Sequence, residues 1–287
     1  MKIAPISIVA VLIAAFAGCS GPASQRDTNL GAAPTDAPPS GGTMNLTDPD
    51  EIPIVGPPFL DFKDCSELNI LVPVPADEFG DAGPLKLKPA DPLGLTLNLI
   101  FTAMACDSLD ASGRHVAKPI GIYAMAPVEP HPELKLDGVQ SYYWLGFAAT
   151  EHLEIRSILK NRGVEVEKAK ITLKFDALAN SPKARASMDG TISDFHVNAE
   201  SVMTGSPVAG PAGSLGLYTF KEDKNGTTLW VHRVSFTTYK AYDKGVVVVR
   251  PSFLPIPDVV EIPQPVAGYH NIDYGARFDF DQGLWET

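Results

Sequence analysis

Leu93-Gly94-Leu95-Thr96-Leu97-Asn98-Leu99-Ile100-Phe101-Thr102-Ala103-Met104-Ala105 alternates with a period of two from end to end. Leu93, Leu95, Leu97, Leu99, Phe101, Ala103 and Ala105 fall on one side, and Gly94, Thr96, Asn98, Ile100, Thr102 and Met104 on the other. Successive side chains of a strand point to opposite faces, so the run predicts a long strand with one packed face and one mostly polar face. The same texture extends outward in both directions. Further strands are expected at Pro119 to Ala126, Ser141 to Ala149, Val164 to Phe175, Ala186 to Ser201, Ser214 to Lys221, Thr227 to Tyr239, Gly245 to Val249 and Gly268 to Phe280. Asp223-Lys224-Asn225-Gly226 is a hairpin signal, because Asn-Gly takes the positive φ values that a tight turn requires. The chain therefore reads as mainly β.

One segment has a different period. Thr150 can cap a helix, Glu151 and Glu154 suit the positive end of its dipole, Lys160 and Arg162 suit the negative end, and Gly163 fits the C′ position. Leu153, Ile155, Ile158 and Leu159 give it an apolar side, so an amphipathic helix is expected over about 151–162. The stretch from Pro251 to Pro265 also carries Pro255, Pro257 and Pro263, which keep it out of a central ladder and place it at an edge or in a loop.

The N-terminus carries an export signal by its order of residues. An apolar run from Ile8 to Ala17 ends in Phe16-Ala17-Gly18-Cys19, and a Ser/Gly/Pro/Ala/Asp-rich tract follows. About ten apolar residues make a helix of about 15 Å, half of the ~30 Å hydrocarbon core, so the run is too short to span a bilayer. This order resembles a bacterial lipoprotein signal. The resemblance implies cleavage before Cys19, a diacylglyceryl group on its thiol, and membrane attachment through acyl chains. An ordinary secretory signal with an incidental cysteine is the alternative. In both cases the domain is exported, and the acyl chains of the lipoprotein reading would hold it at the cell envelope. Ser20 in place of Asp favours the periplasmic face of the outer membrane in a diderm host. The expected organisation is a signal at 1–18, a lipidated Cys19 with a flexible tether to 58, and a single domain over 59–287.

Composition narrows the partners. The 287 residues carry a net charge of −11 and are 45% hydrophobic, which suits one large core and repels phosphate backbones and anionic headgroups. No nucleic-acid partner is expected, contact with membrane is left to the acyl chains on Cys19, and no protein partner can be named. Besides Cys19 the only cysteines are Cys65 and Cys106. In an oxidising compartment a disulfide between them would close a loop of about 40 residues, worth about 4 kcal/mol in the chain-entropy model. Two buried free thiols are the alternative.

Leu71-Val72-Pro73-Val74-Pro75-Ala76-Asp77-Glu78, the strand at Leu93 to Ala105, and Tyr142-Tyr143-Trp144-Leu145 leading into a helix that ends at Gly163 resemble acetoacetate decarboxylase and its wider superfamily. The resemblance covers about Asp64 to Leu173. It implies an antiparallel, closed or partly closed β-barrel with an internal pocket. In the enzymes of that family a Pro-Lys-Lys signature follows the helix; its first lysine forms a Schiff base with a β-keto acid, and its second lowers the pKa of the first. Here the corresponding stretch is Gly163-Val164-Glu165-Val166-Glu167-Lys168-Ala169-Lys170, without Pro-Lys-Lys. A Schiff-base lysine must be neutral near pH 7, whereas Glu167 beside Lys168 favours its charged form.

Candidate chemistry is therefore sparse. Lys168 and Lys170 share a strand face and would form a catalytic pair only if that face lined a cavity; alternating lysines otherwise mark a solvated face. His232 shares a face with Trp230, Val234 and Phe236, as a candidate base or as a buried wall residue. The six histidines, at 115, 131, 152, 196, 232 and 270, have no metal-ligand spacing, and no cofactor fingerprint is present, so neither metal nor cofactor is expected. Asp279-Phe280-Asp281-Gln282-Gly283 with Glu286 is too short for a calcium loop. The leading expectation is a lipid-anchored module whose interior, lined by Leu97, Leu99, Phe101, Tyr143, Trp144, Phe147 and Trp230, binds a small apolar or keto-acid-like ligand. The alternatives are a decarboxylase-like enzyme or other lyase using a pocket lysine, and an envelope scaffold with no ligand.

Overall fold

The computed structural model describes residues 57–77, 79, 82–149, 153–164, 166–168, 171, 174–177, 183–192, 195–242, 244–249 and 267–286. The signal, Cys19, most of the tether, Lys170 and the Pro251 to Pro265 stretch lie outside these residues. In chain order the elements are β1 (Phe59–Pro75), β2 (Thr96–Ala111), β3 (Arg114–Ala117), β4 (Ile120–Pro127), β5 (Gln140–Ala149), α1 (Leu153–Lys160), β6 (Val166–Lys168), β7 (Lys174–Ala177), β8 (Lys183–Ile192), β9 (Phe195–Thr204), β10 (Val208–Gly210), β11 (Gly213–Asp223), β12 (Gly226–Phe236), β13 (Tyr239–Tyr242), β14 (Lys244–Val249) and β15 (Ala267–Glu286).

Seven strands close a barrel in the order β1-β2-β4-β5-β11-β12-β15, with β15 returning to pair β1. Neighbours are antiparallel except β5 and β11, which run parallel over Gln140 to Tyr143. The short β3 and β6 extend β2 and β5, while β13 and β10 extend β15. A separate four-stranded sheet has the order β14-β9-β8-β7. The architecture is thus mainly β, a closed barrel with one short helix.

The quoted strand is shorter at its start than its alternation predicts. The Asp91 carboxylate accepts the backbone N–H of Leu93 at 2.9 Å, of Leu95 at 3.3 Å and of Thr96 at 2.6 Å. These amides are taken up by a loop, so β2 begins at Thr96 and leaves Leu93 80% and Leu95 63% exposed. The expected strand at Val164 to Phe175 is two short pieces, β6 and β7, and that at Ala186 to Ser201 is the β8–β9 hairpin. The β11–β12 hairpin turns at Lys224-Asn225, with Asp223 paired to Gly226 and the positive φ of 137° on Gly226.

Helix α1 is described over Leu153–Lys160, and its C-terminal end falls short of the expected Arg162. Its last turn closes through Arg162 N–H and Val164 N–H, both donating to Leu159 O, and Gly163 takes φ +67°. Ile155, Ile158 and Leu159 are buried among barrel side chains, and the Arg162 guanidinium lies 5.6 Å from the centre of the Phe280 ring.

Barrel strands have two apolar faces with different partners. Leu68, Ile70, Val72 and Val74 of β1, with Leu97, Leu99, Phe101 and Ala103 of β2 and Ile122, Ala124 and Ala126 of β4, pack with Met203 of β9 and Val247 of β14. The smaller sheet therefore supplies cover for the outer face of the barrel. The opposite face of these strands looks inward, and it is there that the polar residues collect.

Candidate functional site

Two bulges decide which side chains enter the lumen. Asp64 takes φ +50° and Asp273 takes φ +57°, and the pairing of β1 with β15 shifts register around them. Each bulge inserts a residue and moves the following alternation to the other face. Phe62 and Cys65, three positions apart, consequently share the inner cluster, and so do Tyr274 and residues two and four positions further on, Ala276 and Phe278. Asn271 on the far side of the second bulge faces Glu67 directly across the ladder. Cys65 and Cys106 are opposite each other in the β1–β2 register and are joined by a disulfide.

The lumen has two unlike ends. At one, Phe62, Trp144, Leu217, Phe278 and Phe280 meet Ile155, Ile158 and Leu159 of α1, all of them buried. His232 belongs to this end. It is fully buried, its Nε2 lies 2.9 Å from Thr219 Oγ1, and its ring centre is 5.1 Å from that of Phe280. It is a hydrogen-bonded wall residue in an apolar setting.

At the other end Glu67 is buried at the centre of a polar cluster. Its Oε1 accepts from Asn69 Nδ2 at 2.8 Å and from Asn271 Nδ2 at 2.6 Å, and its Oε2 accepts from the Tyr274 hydroxyl at 2.5 Å. Thr102 Oγ1 donates to Asn69 Oδ1 at 2.5 Å, and the Tyr123 hydroxyl is in hydrogen-bond contact with Thr102. Burial raises the Glu67 pKa above the usual carboxylate range, opposed by the three hydrogen bonds from Tyr274, Asn69 and Asn271. Burial and then the charge of Glu67 raise the phenol pKa values of Tyr123, Tyr239, Tyr269 and Tyr274, so all four lie within electrostatic reach of one carboxyl. Tyr142 is raised to about 12 by burial.

Several of the tyrosines near the carboxyl are only partly covered. Tyr123, Tyr142 and Tyr269 are strongly desolvated and Tyr239 less so, and each keeps part of its surface uncovered by neighbouring atoms. Leu215 and Phe236, packed on the same inner cluster, are partly uncovered as well. Partly covered side chains at the Glu67 end contrast with the fully buried aromatic packing at the Phe278 end.

The seven side chains expected to line one pocket are distributed over the structure. Leu97, Leu99 and Phe101 lie on the outer face of the barrel under the smaller sheet. Trp144 lies in the packed end of the lumen, and Tyr143 stacks on Phe220 in a third cluster with centres 5.2 Å apart. Trp230 is half-buried beside Gly163. Phe147 pairs by its backbone with Tyr123 and Val166, and the backbone of Lys168 pairs with Ala149 at the end of β6. The residues that do converge, Glu67, Asn69, Thr102, Tyr123, Asn271 and Tyr274, were absent from the sequence-based candidates. Their one visible signal is the pair Glu67 and Asn69, alternating with Leu68 and Ile70 inside an apolar strand.

No protein-family model matches this chain, and no curated protein matches it. Solved structures with a similar fold do exist. An acetoacetate decarboxylase structure is similar with a TM-score of 0.55 at 14% identity, covering 85% of this chain and 93% of that one. The acetoacetate decarboxylase of Legionella pneumophila is similar with a TM-score of 0.56 at 12% identity, covering 86% and 98%. MppR, an enduracididine biosynthesis enzyme complexed with the condensation product of pyruvate and imidazole 4-carboxaldehyde, is similar with a TM-score of 0.54 at 14% identity, covering 87% and 98%. At such identities the likeness is one of fold, and the chemistry must be argued from this chain's own residues.

Proposed function

We propose that this protein binds a small molecule in the lumen of its barrel, at the Glu67 end, and is held at the cell envelope by acyl chains on Cys19. The observation that carries the binding reading is the buried Glu67–Asn69–Asn271–Tyr274 network set among partly uncovered tyrosines. Three hydrogen bonds offset only part of the cost of burying this carboxyl, perturbed carboxyls cluster at functional sites, and concave sites with a few convergent polar groups are where small ligands bind. Native mass spectrometry of the extracted full chain tests this. A co-purifying small molecule that disappears in a Leu215→Trp variant, whose indole would fill the hollow that this reading places at the Glu67 end, is the expected result. Equal ligand content in both proteins would refute a luminal site.

The anchoring half rests on Phe16-Ala17-Gly18-Cys19. Expression with a Cys19→Ser substitution should release the domain from the membrane fraction, and unchanged fractionation would overturn it.

A second reading is Schiff-base chemistry. The fold is similar to that of MppR complexed with pyruvate, with a TM-score of 0.51 at 13% identity, and the β6 strand that follows α1 ends on Lys168. Borohydride reduction in the presence of pyruvate or acetoacetate decides it. A mass gain lost in Lys168→Met supports the enzyme; an unmodified wild-type protein removes it.

A further inference from the structure

We infer that the ligand class of the Glu67 hollow is an organic ammonium, a primary amine whose N–H groups donate to Glu67 and to Asn271 Oδ1. This rests on the luminal binding reading and specifies its chemistry.

A carboxyl group offers about four lone-pair positions. Three of those on Glu67 are used, two on Oε1 by the asparagine amides and one on Oε2 by Tyr274. Oε2 has an acceptor position left. Beside it, the amide of Asn271 is spent as a donor on Oε1, which fixes its orientation, and its Oδ1 is buried with no hydrogen-bond partner. Asn271 is 7% exposed, so bulk water does not satisfy that oxygen. The cluster therefore leaves two acceptors unused, a lone pair on Glu67 Oε2 and the buried Asn271 Oδ1. A ligand that complements it must bring donors.

Charge selects among donors. Among the described residues no lysine or arginine contributes to the electrostatics of Glu67, whose perturbing groups are burial, Tyr274, Asn69 and Asn271. A cation entering the hollow would supply the missing countercharge and hold the carboxyl ionised. An anionic ligand would meet the same carboxyl as a repulsive partner. The tyrosine rings around Glu67 offer electron-rich surface to a cation, and the net charge of −11 attracts cations at longer range. The N–H groups of a primary ammonium match two acceptors, which a quaternary ammonium cannot do.

The test is isothermal titration of the folded protein at pH 8 and low ionic strength with three probes of one shape, benzylammonium, benzyl alcohol and benzoate, and with tetramethylammonium as a fourth, quaternary probe. Benzylammonium should bind at least tenfold more tightly than either of the others, and tetramethylammonium more weakly than benzylammonium. Glu67→Gln should erase the preference for the ammonium over the alcohol. If that variant does not fold, the ranking on the wild-type protein decides alone. Equal or tighter binding of the alcohol or of benzoate overturns the ammonium assignment while leaving luminal binding intact. Absence of benzylammonium binding also overturns it, and the co-purification experiment with Leu215→Trp then judges the luminal site independently.

Discussion

His270 should give this protein a steep acid limb of stability that a single substitution removes. The residue sits on β15 between Leu68 of β1 and Tyr242 of β13, is fully buried, and has its ring centre 6.1 Å from that of Tyr242. Burial disfavours the imidazolium and lowers the pKa to about 4, from 6.5 in a solvated histidine. The unfolded chain therefore takes up a proton near pH 6.5 that the folded chain refuses until about pH 4. Since the unfolded state binds more protons in that interval, stability falls as pH falls through it. At about 1.4 kcal/mol per pH unit the loss reaches about 3 kcal/mol by pH 4. Glu67 acts in the opposite direction. Its raised folded pKa means that its contribution to stability is complete below the ordinary carboxylate value of 4.5 and is lost as pH rises through the folded one. A His270→Leu variant isolates the first effect. Urea unfolding at pH 7, 6, 5 and 4 should give a wild-type minus variant difference that changes by about 3 kcal/mol across the series, becoming less favourable to the wild type as pH falls. Parallel loss in the two proteins from pH 7 to pH 4 would refute the burial argument.

Two further perturbations have calculable sizes. The Cys65–Cys106 bond spans a sequence separation of 41, so the Cys65→Ala/Cys106→Ala protein should lose about 4 kcal/mol in denaturant melts, and a loss below about 1 kcal/mol would show that the strand pairing alone holds β1 to β2. Gly163→Ala should cost about 2 kcal/mol, because the residue has φ +67° and an added Cβ would stand 2.6 Å from Phe220 O, a backbone atom that cannot rotate away; a thermal melt unchanged by the substitution would contradict this.

The fold was largely legible because it depends on alternation, and the site was not because it depends on where alternation breaks. In β2 the two faces separate cleanly in sequence, yet nothing local says which one looks into the barrel. Leu97, Leu99 and Phe101 are the more apolar set and were expected inside; they are covered by Met203 and Val247 of the smaller sheet, while Ile100, Thr102 and Met104 pair across to Leu71, Asn69 and Glu67 on the inner side. That choice is made by a second sheet that begins more than sixty residues further along the sequence, which no window on β2 can register. β1 was missed as a strand for a related reason. Glu67 and Asn69 look like solvent-facing positions until Asn271 and Tyr274 are brought beside them by a contact spanning 204 residues. The bulges at Asp64 and Asp273 are positive-φ conformations on non-glycine residues, so the usual sequence marker for such a kink is lacking. The helix, by contrast, was placed by its Gly163 terminator and apolar side, both local signals.

Closure of the ring by β15 against β1 sets an order of events during synthesis. While the ribosome has yet to reach Ala267, β1 and β12 each present an unsatisfied row of amides and carbonyls. The strand that seals both is β15, the last of the described strands. A nonsense codon ahead of that strand would thus yield an aggregation-prone product with two sticky borders, and a nascent chain would need shielding by a holdase until its final stretch arrives.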